Sequence, residues 1–463
     1  MTEQLKLKLN DSKATRWGAL VIVAFTMMAA YYVNDVVAPL KTMLETDLAW
    51  SSTDFGFFTG GYSFLNVFFL MLIWGGLILD RFGIRFTGKL TTILMVGGTA
   101  LEYYAMTGLA GTDATLFGIN EIFGYKTGVF VAFAGYSIFG VGAEVAGITV
   151  SKIIAKWFKG KELATAMGVQ VALARIGSQA GYAVAIPLAR AFGISTPVLL
   201  GLVLLLGGMI AFFVFTVMDK KLDKQMEAAA IAAGTEDEEE KFSFKDVKNI
   251  LVNPGFWLIA LLCVLFYSCV FPFQKFASEL MIIKYGINEN VAGTFAGLPA
   301  LGALILTPVF GGFIDKRGKS ASIMLLGSAM LICVHFIYAI PDINYWLVAI
   351  VLMIILGIAF SLVPSAMWPA VAKIFPVSQL GTAYALIFFI QNIGLWGIPT
   401  LIGWVLDAYC ISGKKPDGTN MYDYTVPMCI FTGIACLSLV VALLLKKADR
   451  KYGYKLEEPN IQK

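Results

Sequence analysis

Long uninterrupted runs of apolar residues constrain this chain more than any other feature. A helix needs roughly 20 apolar residues to cross a hydrocarbon core of about 30 Å, and the sequence supplies about twelve such runs. They lie near 17–40, 54–80, 86–109, 127–155, 162–189, 196–218, 255–283, 289–314, 321–340, 345–374, 379–408 and 425–446. Continuous rather than alternating hydrophobicity excludes a transmembrane barrel. With 58% hydrophobic and only 14% charged residues, an ordinary soluble domain is excluded too. The expected fold class is therefore an all-α membrane protein of twelve transmembrane helices.

Charge placement orients these helices. Of the 35 Lys and Arg, about 26 fall in the two tails and in the loops after even-numbered spans, and about six in the other loops. The positive-inside rule then places both termini in the cytosol. The same asymmetry explains the net charge of +4, so no nucleic-acid partner is expected. The polar N-terminal 17 residues do not read as the start of a signal peptide, and the first apolar run reads as a retained span. All six cysteines lie in the second half without metal-ligand spacing. Cys410 and Cys429 flank one outer loop and could form a disulfide, and the single histidine, His335, is expected to pack within its helix. No metal or cofactor site is expected.

Between spans six and seven lies a stretch rich in both charges around residues 219–252, read as a cytosolic linker that is helical in part and carries an acidic core at Glu236–Glu240. It divides the chain into six-helix bundles at 1–218 and 253–463. The halves also repeat. KWFKGKELATA from Lys156 aligns with KIFPVSQLGTA from Lys373, and the same offset lays Arg175-Ile176-Gly177 on Asn392-Ile393-Gly394. A G-x-x-x-D-x-x-G pattern recurs at Gly76–Gly83 and Gly311–Gly318, with Asp80 and Asp315 as its carboxylates. Parallel six-span repeats with a midplane site between them describe the major facilitator superfamily. The loop sequence GGLILDRFGIR resembles that superfamily's signature. The resemblance implies that Gly76, Asp80, Arg81 and Asp315 act in gating, with the glycines admitting close helix contact and Asp80 near a helix N-terminus.

Two charges sit where none would be expected. Spans four and five form a hairpin turning near Lys159-Gly160. Glu144 lies 15 residues before Lys159, and Arg175 lies 15 after Gly160. Equal paths along the two arms imply similar depth, and counting about 1.5 Å per residue from the interface residues puts both groups roughly 18–20 Å in. Charges at that depth face a cavity or a partner. A mutual ion pair would add little stability after desolvation, whereas an arginine fork can hold a carboxylate and a glutamate an ammonium. A ligand carrying both charges would satisfy both residues.

Neighbouring polar residues fit a peptide-like guest: Gln170, Gln179, Gln391 and Asn392 lie at comparable depths, each also able to bond between helices. Tyr31 and Asp35 share one face of span one and suit an outer wall or gate. Trp368, between Pro364 and Pro369, marks an expected broken helix beside a cavity. Lys275 and Glu279 have i,i+4 spacing and are expected to pair, while Lys152 is expected to reach the cytosolic edge.

WFKGKEL, ARIGS, FYSCVFPF and MWPAVAKIFPVSQLGTAYALIFFIQNIG together resemble the lysosomal dipeptide uniporter branch of the superfamily. The resemblance covers both halves. It implies that Glu144, Arg175, Tyr31, Asp35 and Trp368 line a pocket for the charged termini and backbone of dipeptides, moved by facilitated uniport. Lys152 and Lys275 depart from that pattern. Proton coupling stays open, because Glu144 or Asp35 could titrate. Two other functions remain: an organic-anion carrier that uses Arg175 alone, itself open to proton coupling, and a transport-inactive sensor or scaffold, with any protein partner unknown. With no lysosomal sorting signal and the Asn10 sequon in the cytosolic tail, a bacterial inner membrane is the expected setting.

Overall fold

The computed structural model describes residues 8–111, 114–158, 161–233 and 244–459. In chain order its helices are α1 (Lys13–Val36), α2 (Lys41–Asp47), α3 (Ser52–Phe68), α4 (Met71–Thr107), α5 (Thr127–Trp157), α6 (Leu163–Phe192), α7 (Thr196–Ala233), α8 (Phe244–Leu251), α9 (Pro254–Tyr285), α10 (Glu289–Ala296), α11 (Leu298–Arg317), α12 (Ser320–Ala339), α13 (Trp346–Ile374), α14 (Val377–Tyr409) and α15 (Thr425–Tyr452). Two short antiparallel hairpins, β1 (Glu121–Ile122) with β2 (Tyr125–Lys126) and β3 (Ile411–Lys414) with β4 (Asn420–Tyr422), decorate the loops.

Each expected apolar stretch is mainly helical. Among the described residues, nine helices are long and apolar enough to cross a bilayer, and α3 with α4 meets the same test as a pair bent by 59°. The 30-residue α6, which carries Arg175, is not among the nine. Several boundaries differ from the sequence reading. Span one continues to Asp47 through a 3-10 turn at Ala38–Leu40, where Pro39 supplies no N–H to the α ladder. The second span is not one straight helix, because Leu70 takes left-handed backbone angles between α3 and α4. Conversely, α13 is not broken: Pro364 and Pro369 both lie inside one continuous helix. The linker is helical at each end, in α7 and α8, while Glu236–Glu240 fall outside the described residues.

Helices before residue 233 pack among themselves, α1 on α6 and α7 and α4 on α5, as do those after 254, with α12 on α13 and α15 and α14 on α9. Contact between the two sets runs mainly through α3 on α14 and through α6 on α10 and α11. Small residues make the first contact possible: a Cβ on Gly56 would lie 2.4 Å from the Pro399 oxygen, and one on Gly403 would lie 2.3 Å from the Ser52 oxygen. Both obstacles are backbone and cannot move aside. Gly56→Ala is therefore expected to prise α3 from α14 and lower the melting temperature in detergent. An unchanged melting curve would refute that.

Chain ends gather on one face. Leu9 donates its N–H to Gln225 and Arg16 holds Glu162, while Tyr454 bonds Asn253 and Lys373 bonds the carbonyl oxygens of Lys455 and Glu458. We call this the terminal face and the other the opposite face.

Candidate functional site

A cavity of about 430 Å³ lies between the two sets of helices, within the range of small-molecule sites. Glu144 on α5 and Arg175 on α6 both line it, as do Tyr31, Gln170, Trp368 and Gln391. Two antiparallel arms of similar length bring these distant positions to one chamber. Glu144 accepts a hydrogen bond from the Tyr62 hydroxyl at 2.9 Å. The Arg175 guanidinium lies 4.8 Å from the Phe360 ring centre and 5.6 Å from that of Tyr31. Such aromatic faces hold a cation without neutralising it. No ion pair within 4 Å joins Glu144 to Arg175 among the described residues. Each charge is thus left to the chamber.

The remaining expected site residues divide. Trp368 stacks on Phe388 at 4.8 Å and Gln391 accepts from the Cys263 thiol at 3.4 Å, both on the cavity wall. Asn392, although it repeats the place of Arg175, is buried and turns its amide back to the Phe388 oxygen at 2.9 Å. It is not part of the lining, and neither is Gln179, which donates to the Thr294 oxygen across the helix sets. The Asn392 amide N–H finds its acceptor on its own helix turn, which the Arg175 guanidinium does not do here. Asp35 is also absent from the wall: it lies behind it, paired with Lys275 at 3.4 Å.

That pair corrects the expected Lys275–Glu279 contact. The two side chains share a helix face but meet different partners. Lys275 donates to the Asn34 oxygen at 2.5 Å, the Tyr136 hydroxyl at 3.3 Å and Asp35. Glu279 accepts from Lys41 at 2.5 Å and from the Tyr424 hydroxyl at 2.5 Å. Lys41 simultaneously holds Glu45 at 2.5 Å, and Lys415, in the β3–β4 turn, approaches Glu45 and Glu279 at 3.7 and 3.6 Å. Nearby, Asp407 on α14 receives the N–H groups of Ser52 and Thr53 at the start of α3, at 3.3 and 2.5 Å. A carboxylate is well placed there, where orphan donors and the helix dipole converge. These contacts seal the opposite face. The cavity lining stops there at Asn34, Tyr136 and Lys275, but reaches exposed Ser151 and Val171 toward the terminal face. The chamber opens to the terminal face.

The glycine motif behaves differently from its expected packing role. A Cβ on Gly76 or Gly311 would meet nothing within 4 Å, and the tight contact belongs to Gly75, against Val145. Gly83 and Gly318, at equivalent repeat positions, have φ of +74° and +70°, so each is needed for its turn. Asp80 precedes the Gly83 break within α4 and pairs with Lys152 at 3.1 Å, which accounts for that lysine. Arg81 lies over the Phe82 ring, and Asp315 sits in the last turn of α11. The six cysteines are free, so no Cys410–Cys429 bond forms. His335 packs between helices, its Nε2 3.0 Å from the Cys269 oxygen on α9 and its ring stacked on Phe431.

Sequence reasoning missed Tyr62, Tyr136 and the Lys41 cluster. The i,i+4 spacing of Lys41 and Glu45 was visible, but nothing local pointed to Glu279 some 240 residues away.

Comparison with known proteins adds the following. A family model described as Major Facilitator Superfamily matches residues 20–399 and 285–458. The lysosomal dipeptide transporter MFSD1 of Homo sapiens is 28% identical over 454 residues, covering 95% of this chain and 88% of that one. The Danio rerio protein of the same name is 27% identical, over 93% and 86%. Among solved structures, the nucleoside transporter NupG superposes with a TM-score of 0.67 at 12% identity, over 92% of this chain and 98% of the other. A bacterial homologue of the human lysosomal transporter Spinster, inward-facing and occupied, gives 0.66 at 13% identity, over 95% and 98%. Both structural likenesses concern the fold alone.

Proposed function

Given that the chain belongs to the major facilitator superfamily and is a membrane transporter rather than an enzyme, we propose that it carries dipeptides or similar short zwitterionic peptides by alternating access. One observation supports this above the others: Glu144 and Arg175 line the same chamber without pairing to each other. A dipeptide carboxylate would take the two-pronged donors of Arg175, and its ammonium would take Glu144, already oriented by Tyr62. The amides of Gln170 and Gln391 are available to the peptide bond. Tyr31, Phe271 and Trp368 supply flat apolar walls that tolerate varied side chains. Relatives named as dipeptide transporters support the same substrate class.

In this reading, halves 1–218 and 253–463, joined by the 219–252 linker, rock about the chamber. The central pair by itself needs no second ion, which fits the facilitated uniport that the resemblance implies. Basic residues concentrated toward the terminal face support its being cytosolic, and a bacterial inner membrane is the proposed setting. Gly76, Asp80, Arg81 and Asp315 stand at that face as the proposed latch. In the state described, Asp80 engages Lys152 of its own half, which accords with an open terminal side.

The direct test is a thermal-shift screen of purified protein against dipeptides, single amino acids and mono-acids. Dipeptides alone are expected to stabilise it, by about 2.7 kcal/mol at a hundred times Kd. Equal stabilisation by simple mono-acids would overturn the reading in favour of an anion carrier.

A further inference from the structure

Glu102 lies on α4 in the middle of an apolar stretch and takes no part in the central site. It is 0% exposed, and neither carboxyl oxygen has a hydrogen-bond partner among the described residues. Close packing holds it in place. A Cβ on Gly135 of α5 would lie 2.9 Å from the Glu102 nitrogen, and one on Gly98 would lie 2.5 Å from the Gly135 oxygen and the Phe139 nitrogen. The two helices touch backbone to backbone, so α4 cannot slide to bring the carboxyl to a donor.

Titratable groups surround it from several helices. Tyr136 of α5 and Lys275 of α9 lie within electrostatic reach of Glu102. Behind them stand Asp35 of α1, faced by Tyr182 of α6, and Tyr62 of α3, which faces Tyr136. Lys275 is the only cation in this group, and its ammonium is already directed at Asn34, Tyr136 and Asp35. Asp35 and Lys275 balance each other. An ionised Glu102 would add a negative charge with no donor inside a membrane-spanning bundle, which is a costly arrangement. A proton on the carboxyl removes that charge.

We infer that Glu102 is a proton-binding site whose occupancy is linked to alternating access. With the opposite face closed, as described here, the carboxyl holds its proton. Opening that face withdraws Lys275, carried on α9 of the other half, from Asn34, Asp35 and Tyr136. Water then reaches the pocket, where the acid can dissociate into a hydrated carboxylate and a proton delivered to that solution. Closure requires the reverse, one proton taken up per molecule. By linkage, low pH favours the state closed on the opposite face and high pH favours opening. The population ratio shifts by at most about tenfold per pH unit while one group titrates. This rests on the alternating-access reading but not on the identity of the substrate.

The test uses the purified full chain in lipid nanodiscs with no peptide present, so a failure of the dipeptide reading cannot be mistaken for a failure here. Infrared difference spectra between about pH 5 and about pH 9 are expected to show a protonated-carboxyl band that Glu102→Gln lacks. Spin labels replacing exposed Phe192 and Val291, on opposite-face ends of α6 and α10, should move apart at high pH in the wild type. In Glu102→Gln, whose amide mimics the neutral acid, they should stay close at both pH values. A pH response of the labels that survives in Glu102→Gln would overturn the inference. So would a wild-type protein with neither the band nor the response, which settles the matter even if the variant does not fold.

Discussion

Replacing Arg175 by alanine is expected to abolish measurable dipeptide uptake in proteoliposomes and to weaken binding at least about thirtyfold. Truncating one side of a desolvated, hydrogen-bonded charge pair costs about 2–5 kcal/mol, and 1.4 kcal/mol is a factor of about ten. Arg175→Lys retains the charge but loses the planar fork, so it should fall between wild type and alanine. Glu144→Gln supplies the second half of the experiment. It removes the partner of the ammonium while leaving a side chain that the Tyr62 hydroxyl can still bond. Dipeptide binding should fall by a comparable factor, whereas an N-acetylated amino acid, which has no ammonium, should be little affected. Unchanged dipeptide uptake by Glu144→Gln would instead favour an organic-anion carrier that uses Arg175 alone.

The second large effect concerns the opposite face. Lys41 is 1% exposed and holds Glu45 from its own half and Glu279 from the other. Lys41→Met would leave two buried carboxylates with the more distant Lys415 as their one remaining cation among the described residues. Removing one member of a buried ion pair costs about 3–5 kcal/mol. The penalty falls on the closed state, because opening lets water reach both carboxylates. The balance should therefore move toward an open opposite face by roughly two to four orders of magnitude. Labels at the positions of Phe192 and Val291 should then report a longer distance, and uptake should slow because the return step is disfavoured. An unaltered distance distribution would show that the α3–α14 contact, not this cluster, holds the face shut. The neutral double variant Lys41→Met with Glu279→Gln should recover part of the closed population, which separates charge imbalance from lost packing.

The chain's long-range order was legible where it depends on chain-local chemistry. Apolar runs announced the helices, and the G-x-x-x-D-x-x-G repeat announced a corresponding motif in each half, but its glycines read as packing residues, whereas Gly83 and Gly318 serve backbone with φ of +74° and +70°. Glu144 and Arg175 could be placed in one chamber because helical rise converts residue counts into depth. Depth alone does not give azimuth. Asn392 and Gln391 are neighbours at one depth, yet one lines the cavity and the other bonds its own helix. Lys275 and Glu279 have ideal spacing for a mutual pair, yet each finds a stronger site across the helix sets. Glu102 stood in plain view as a carboxylic acid amid apolar residues, but its isolation shows only once the surrounding helices are packed.

What the amino-acid order determined on its own was a membrane-embedded helical carrier with two opposite charges at matching depth. Hydrophobic length, helical rise and the cost of charge in lipid act along a single chain and need no partner. Tertiary structure alone decided which face is shut, which polar side chains turn inward, and that Lys41, Glu45, Glu279 and Lys415 converge. Those outcomes depend on the rotation of each helix and on contacts between residues more than two hundred positions apart. No local propensity encodes such pairings, because the energy that selects them arises only when the two helix sets meet.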